Sequence, residues 1–192
     1  LDHSAALDPR YADTFVRLGD LYRLRDNDLE RAADSYVRAI GLSALGVANA
    51  AERMAEGLAA RPDLIGRLRS AFAQEAERAE TVLASAEPLA ERQYDLPMLR
   101  DRAALLHTIT GLMAVRSGDV PGSLSSYSRA VAIAPGDANY SRNYTLVLSD
   151  TGRYDEAIAE QRRLLAVISA APNRQRDVQA ATQLIQLVEQ AR

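Results

Sequence analysis

The sequence predicts an all-α chain built as a row of antiparallel helix pairs. Three observations carry this. Apolar residues recur at three- and four-residue intervals in nearly every segment, the spacing of one helix face. Ala is plentiful and aromatics are only 5% of the chain, while β-branched runs bounded by turn clusters are missing. Short stretches also recur: Ser35-Tyr36-Val37-Arg38-Ala39-Ile40 returns as Ser126-Tyr127-Ser128-Arg129-Ala130-Val131, and Pro9-x-x-Ala12-Asp13 returns as Pro135-x-x-Ala138-Asn139.

Taken in order, helices are expected at 11–25, 29–42, 44–60, 63–87, 98–117, 120–134, 138–151, 154–169 and 174–191. Phe15, Leu18 and Tyr22 share one face, as do Leu29, Ala32, Ala33, Tyr36 and Ile40. Ile65, Leu68, Phe72, Ala76, Ala79 and Leu83 form one long stripe; Leu99, Ala103, Leu106, Thr110 and Met113 form another. Breakers and capping candidates separate these segments at Asp26-Asn27-Asp28, Arg61-Pro62-Asp63, Asp95-Leu96-Pro97, Pro135-Gly136-Asp137 and Ala171-Pro172-Asn173. Gly118 and Gly152 stand 34 residues apart, each in a turn between two periodic segments. Connections this short force neighbouring helices to lie antiparallel. The last segment carries a narrow stripe of Val178, Ala181, Leu184, Ile185 and Val188, with Gln175, Gln179, Gln183, Gln186 and Gln190 over the rest, as expected of a capping helix.

Composition narrows the function classes. The 23 basic residues are all Arg, yet the formal net charge is −3 and the arginines are interleaved with acids, so no nucleic-acid partner is expected. Cysteine is absent, which excludes disulfides and thiolate metal sites and leaves the compartment unreadable. No run approaches the 18 apolar residues of a membrane span.

Phe15-x-x-Leu18-Gly19-x-x-Tyr22, followed by Ala32-x-x-x-Tyr36 and Ala39, resembles the tetratricopeptide repeat, with Phe in place of the usual Trp. A second match runs from Gly111 through Gly118, Ser123, Tyr127, Ala130 and Pro135. A third has Leu148, Gly152, Tyr154, Ala157 and Ile158, with "GRYDEAI" its clearest part. The resemblance implies a right-handed superhelical solenoid of antiparallel helix pairs. It would comprise a repeat at 11–42, an enlarged degenerate repeat at 44–97, repeats at 98–135 and 138–170, and a capping helix at 174–191. Gly19 and Gly111 hold equivalent places 92 residues apart, 24 more than two 34-residue repeats occupy. Residues 1–10 are expected to be the tail of a truncated preceding repeat or a linker, since Leu7-Asp8-Pro9 aligns with Ile133-Ala134-Pro135.

No catalytic or metal-ligating constellation is found, and no cofactor is implied: HExxH, GxSxG, phosphate-loop and paired-His spacings do not occur. His107 occupies a place the repeat fills with a bulky aromatic and is expected to be packed or half-buried. Asp26/Asp28 and Asp155/Glu156 sit at helix starts, where capping and the helix dipole explain them. Arg162-Arg163, with Glu156 and Glu160 as helix partners, reads as a solvated face.

In tetratricopeptide proteins the first helix of each repeat lines a concave groove that takes a peptide or partner helix. Matching positions are Asp13, Val16, Asp20 and Arg23; then Leu105, Thr108, Leu112 and Arg116; then Asn139, Arg142, Leu146, Ser149 and Asp150. The clamp for C-terminal carboxylates needs Lys and Asn in the opening repeat, where this chain has Val16 and Asp20, so that specificity is rejected. The expected role is a non-catalytic protein-interaction or scaffolding module. An alternative is a regulatory or structural C-terminal appendage of a larger bacterial enzyme, such as a membrane glycan polymerase or ligase of the O-antigen type. Self-association is a further expectation, should residues around Phe15 and Tyr36 be left uncovered.

Overall fold

The computed structural model describes residues 11–86 and 96–192, and all regular structure among them is helical. The expectations for residues 1–10 and for the connection before Leu96 lie outside the described residues. The α-helices are α1 (Ala12–Leu21), α2 (Leu29–Ser43), α3 (Ala51–Gly57), α4 (Pro62–Ala86), α5 (Leu96–Arg116), α6 (Val120–Ile133), α7 (Ala138–Asp150), α8 (Tyr154–Ile168) and α9 (Gln175–Ala191). Neighbours in sequence pack as pairs: α1 with α2, α5 with α6, and α7 with α8. Between pairs, α2 packs on α4, α4 on α5, α6 on α7, and α9 closes against α8 and α7. Contacts also join α3 to α5 and α5 to α7.

Local chemistry sets the ends. The side chains of Asp28, Asp119 and Asp137 accept the first free backbone N–H groups of α2, α6 and α7, a capping interaction of about 1 kcal/mol each. Asn27, Gly118 and Gly152 take the left-handed conformation (φ 50°, 78° and 75°) where the first helix of each pair ends. From Gly118 or Gly152 back to the equivalent small residues, Gly111 and Thr145, is seven positions; from Asn27 back to Gly19 is eight. The surplus residue falls in a π-helical turn at Tyr22–Asp26, which continues α1.

The segment expected as one helix over 44–60 is broken. Gly46 N–H donates to Ser43 Oγ, Val47 N–H returns to the Ser43 carbonyl, and a 3₁₀ turn at Ala48–Ala50 precedes α3. Alanines at helical spacing concealed this turn from the periodicity.

The core is continuous from α1 through α5. It holds Phe15, Tyr36, Ile40, Met54 and Leu58, the α4 stripe from Ile65 to Ala79, and Leu106 and Met113. Phe15 and Tyr36 are themselves 3% and 0% exposed, so neither ring offers an uncovered face. Beyond α5 the apolar contacts divide into small clusters. One joins Ala104, Ala130, Val131 and Tyr140; another joins Leu148, Ala157, Ile158 and Val188; a third joins Leu164, Ile168 and Ala181.

The repeated close contact is a ring over a glycine. Tyr36 lies against Gly19, and Tyr127 lies against Gly111, so that an added Cβ would meet each ring. At the matching place in α7 and α8, Gln161 donates to Thr145 Oγ1 (2.6 Å) and Ser141 Oγ (3.1 Å). A polar lock therefore stands where the earlier pairs use a ring.

Candidate partner-binding groove

The thirteen residues expected to line a groove separate into three groups. Val16 is 2% exposed and belongs to the continuous core, so it offers no surface and is removed from the set. The second group is occupied within the chain. Asp13 is held by Arg17 at 2.6 Å. Asp20 accepts the Tyr36 hydroxyl at 2.7 Å and stands 3.5 Å from Arg53 and 3.8 Å from Arg23. Arg23 lies over Gly57, and Arg116 pairs with Glu52 (3.0 Å) and Glu56 (3.8 Å). Such pairs link α1 to α3 and α3 to α5, neutralising this part of the surface. The residues missing from the sequence reading are Glu52, Arg53 and Glu56. Their signal was the charged stripe at 52, 53 and 56, within the segment taken as a degenerate repeat.

The third group remains available. Asn139, Arg142, Leu146 and Asp150 are exposed along one face of α7, and among the described residues neither Arg142 nor Asp150 has an ion-pair partner. Leu105 and Leu112 are half-buried on α5. The side-chain oxygens of Thr108 and Ser149 are buried without a hydrogen-bond partner among the described residues, so neither presents its hydroxyl outward. The open surface is thus an α5–α7 strip carrying aliphatic contact, with Arg142 and Asp150 unpaired among the described residues.

A second polar constellation surrounds His107. The imidazole Nε2 lies 2.6 Å from Glu80 Oε1. Arg129 donates from Nε and Nη2 to the two carboxylate oxygens of Glu80, at 2.6 and 2.5 Å. Arg129 holds the Glu80 carboxyl below its usual range, with burial opposing it and His107 assisting. Burial pushes His107 below its ordinary value, against the pull of Glu80. His107 is therefore half-buried, as expected, and neutral near pH 7. A cleft of about 350 Å³ opens beside it, lined by Glu77, Thr110, Ser125 and Ser126 among others.

The Arg162-Arg163 pair is not a simple solvated face. Arg163 donates twice to Glu160, both at 2.8 Å, and Glu160 is only 8% exposed. Ser141 completes that carboxylate's shell at 2.6 Å. Glu156 pairs instead with Arg153, and Arg162 lies 3.6 Å from Glu189.

Among the described residues no group of three or more His, Asp or Glu side chains is placed to hold a metal ion, and no helix is long and apolar enough to cross a membrane. No protein-family model and no curated protein matches the chain.

Proposed function

We propose that the chain is a tetratricopeptide-like solenoid serving as a non-catalytic protein-interaction or scaffolding module. It engages an extended peptide or partner helix along α5 and α7. The observation that carries this reading is the exposed row Asn139, Arg142, Leu146 and Asp150, its charges unpaired among the described residues, beside the half-buried Leu105 and Leu112. The recurring ring-over-glycine contacts support the repeat assignment, because small residues at those places are what let two helices of a repeat touch.

Affinity capture with the intact chain and with Arg142→Glu and Leu146→Asp tests it. Both sites are exposed, so circular dichroism and melting should stay unchanged while the captured partners are lost. Arg23→Glu serves as the contrasting variant, since it breaks a contact internal to the fold. An identical partner profile for folded Arg142→Glu and Leu146→Asp proteins would reject this groove.

A further inference from the structure

We propose that α7–α9 is a movable unit, pivoting where α6 ends at Ile133–Ala134 and latched to the rest by the Tyr140 hydroxyl on Asp101.

The division of the core gives the boundary. One continuous cluster ties α1 through α5, whereas the cluster shared by α5, α6 and α7 contains Ala104, Ala130, Val131 and Tyr140. Its buried members are two alanines, a valine and a tyrosine, with Leu105, Ile133 and Tyr144 only half-buried around them and Leu124 of α6 half-buried against the next cluster. This junction therefore removes less apolar surface from water than the fully buried core of α1–α5. Stability is then unequal along the chain, and opening at such a junction requires less free energy than global unfolding.

The α7–α9 segment has its own internal ties, so it moves as a body. Ser141, Thr145, Glu160 and Gln161 lock α7 to α8 through buried hydrogen bonds. Arg162–Glu189 and Arg192–Asp155 join α8 to α9. Arg163 donates to the Pro135 carbonyl at 3.0 Å, and Arg174 donates to the Gly136 carbonyl. The connection from Pro135 onward is thus held by α8 and the start of α9, which puts the pivot just before it.

Tyr140 on α7 reaches back across the boundary to Asp101 on α5, its hydroxyl donating at 2.7 Å to Oδ1. A hydrogen bond to a carboxylate is among the stronger kinds. On the groove reading, Leu105 and Leu112 stand on one side of the boundary and Arg142 and Leu146 on the other. Opening therefore changes the width of the strip offered to a partner.

Hydrogen exchange of the full chain, read by mass spectrometry, tests the unit. The amides of α7–α9 should exchange together and at least tenfold faster than those of α1–α5. Tyr140→Phe should speed α7–α9 by roughly a further tenfold, the size of one charge-assisted bond, leaving α1–α5 unchanged. Asp101→Asn serves as the second variant. Because the chain has no cysteine, spin labels at Val115→Cys and Asp150→Cys report the opening directly. Their distance distribution should broaden or become double in Tyr140→Phe. Helix-by-helix fraying from the C-terminus, equal acceleration everywhere, or one narrow distance in both backgrounds would each overturn the proposal.

Discussion

Tyr36 rests on Gly19 so closely that a Cβ at residue 19 would stand 2.4 Å from ring Cε1 and 3.0 Å from the Ala32 carbonyl. The same ring sends its hydroxyl to Asp20, and burial together with that carboxylate raises the phenol well above its ordinary range. One side chain thus fixes the distance between α1 and α2 and ties up an acid expected to face a partner.

Gly19→Ala and Gly111→Ala should differ. Ala improves helix propensity by about 1 kcal/mol at either position. At Gly19 the added methyl meets a fully buried ring and a backbone carbonyl, and overpacking costs of about 1–3 kcal/mol outweigh the gain. At Gly111 the nearest Tyr127 atoms stand at 3.0 Å, so a small ring shift leaves the two effects near balance. Urea midpoints should fall clearly for Gly19→Ala and stay near wild type for Gly111→Ala. Equal losses would mean that ring contact does not govern either glycine.

Acidification should weaken the fold in two stages. His107 has a folded pKa below its ordinary 6.5, so the unfolded chain takes up the proton first. Its share of stability is present above that value and is lost as pH falls beneath it. Glu80 is held below its ordinary 4.5, so its share is present above 4.5 and disappears as pH falls through the folded value. Between pH 7 and 5 the urea midpoint should drop in the wild type and drop less in His107→Phe, which restores the aromatic found at Phe15. Identical slopes for the two proteins would remove His107 from the acid response.

Arg163→Met should cost far more than Arg17→Met. Arg17 and Asp13 are both substantially exposed, and pairs of that kind contribute about 0–1 kcal/mol. Glu160 is buried, and removing its cation strands a carboxylate, a change of about 3–5 kcal/mol. Thermal melts of the two variants at neutral pH give the comparison. A shift for Arg163→Met no larger than for Arg17→Met would show that Ser141 alone sustains the buried carboxylate.

Much of the helical layout was legible because each long stripe is one-sided. Ile65, Leu68, Phe72, Ala76, Ala79 and Leu83 are all buried, and Ala181 and Val188 anchor α9 as its narrow stripe implied. The break at Ser43–Val47 was not legible, since a hydroxyl–amide hydrogen bond redirects a stretch whose alanines keep helical spacing. The groove was legible only in part. Position in a repeat places Asp20 and Arg116 on the first helices, but it does not show that Arg53, Glu52 and Glu56 meet them from α3. Nor does it show Glu160 turning inward, because a Glu three residues before an Arg reads the same on a wet face as on a buried one.

The π-helical turn at Tyr22–Asp26 bears on how this chain tolerates changes in length. Seventeen positions separate Gly19 from Tyr36, against sixteen from Gly111 to Tyr127, yet both rings reach their glycines. The widened turn takes up the odd residue before Asn27 reverses the chain, and Asn27 to Tyr36 is then nine positions, the same as Gly118 to Tyr127. The one extra residue at this hairpin tip is thus absorbed within the turn itself. The point of touch between the two helices, ring on glycine, is kept in both hairpins although one residue more separates its partners in the first.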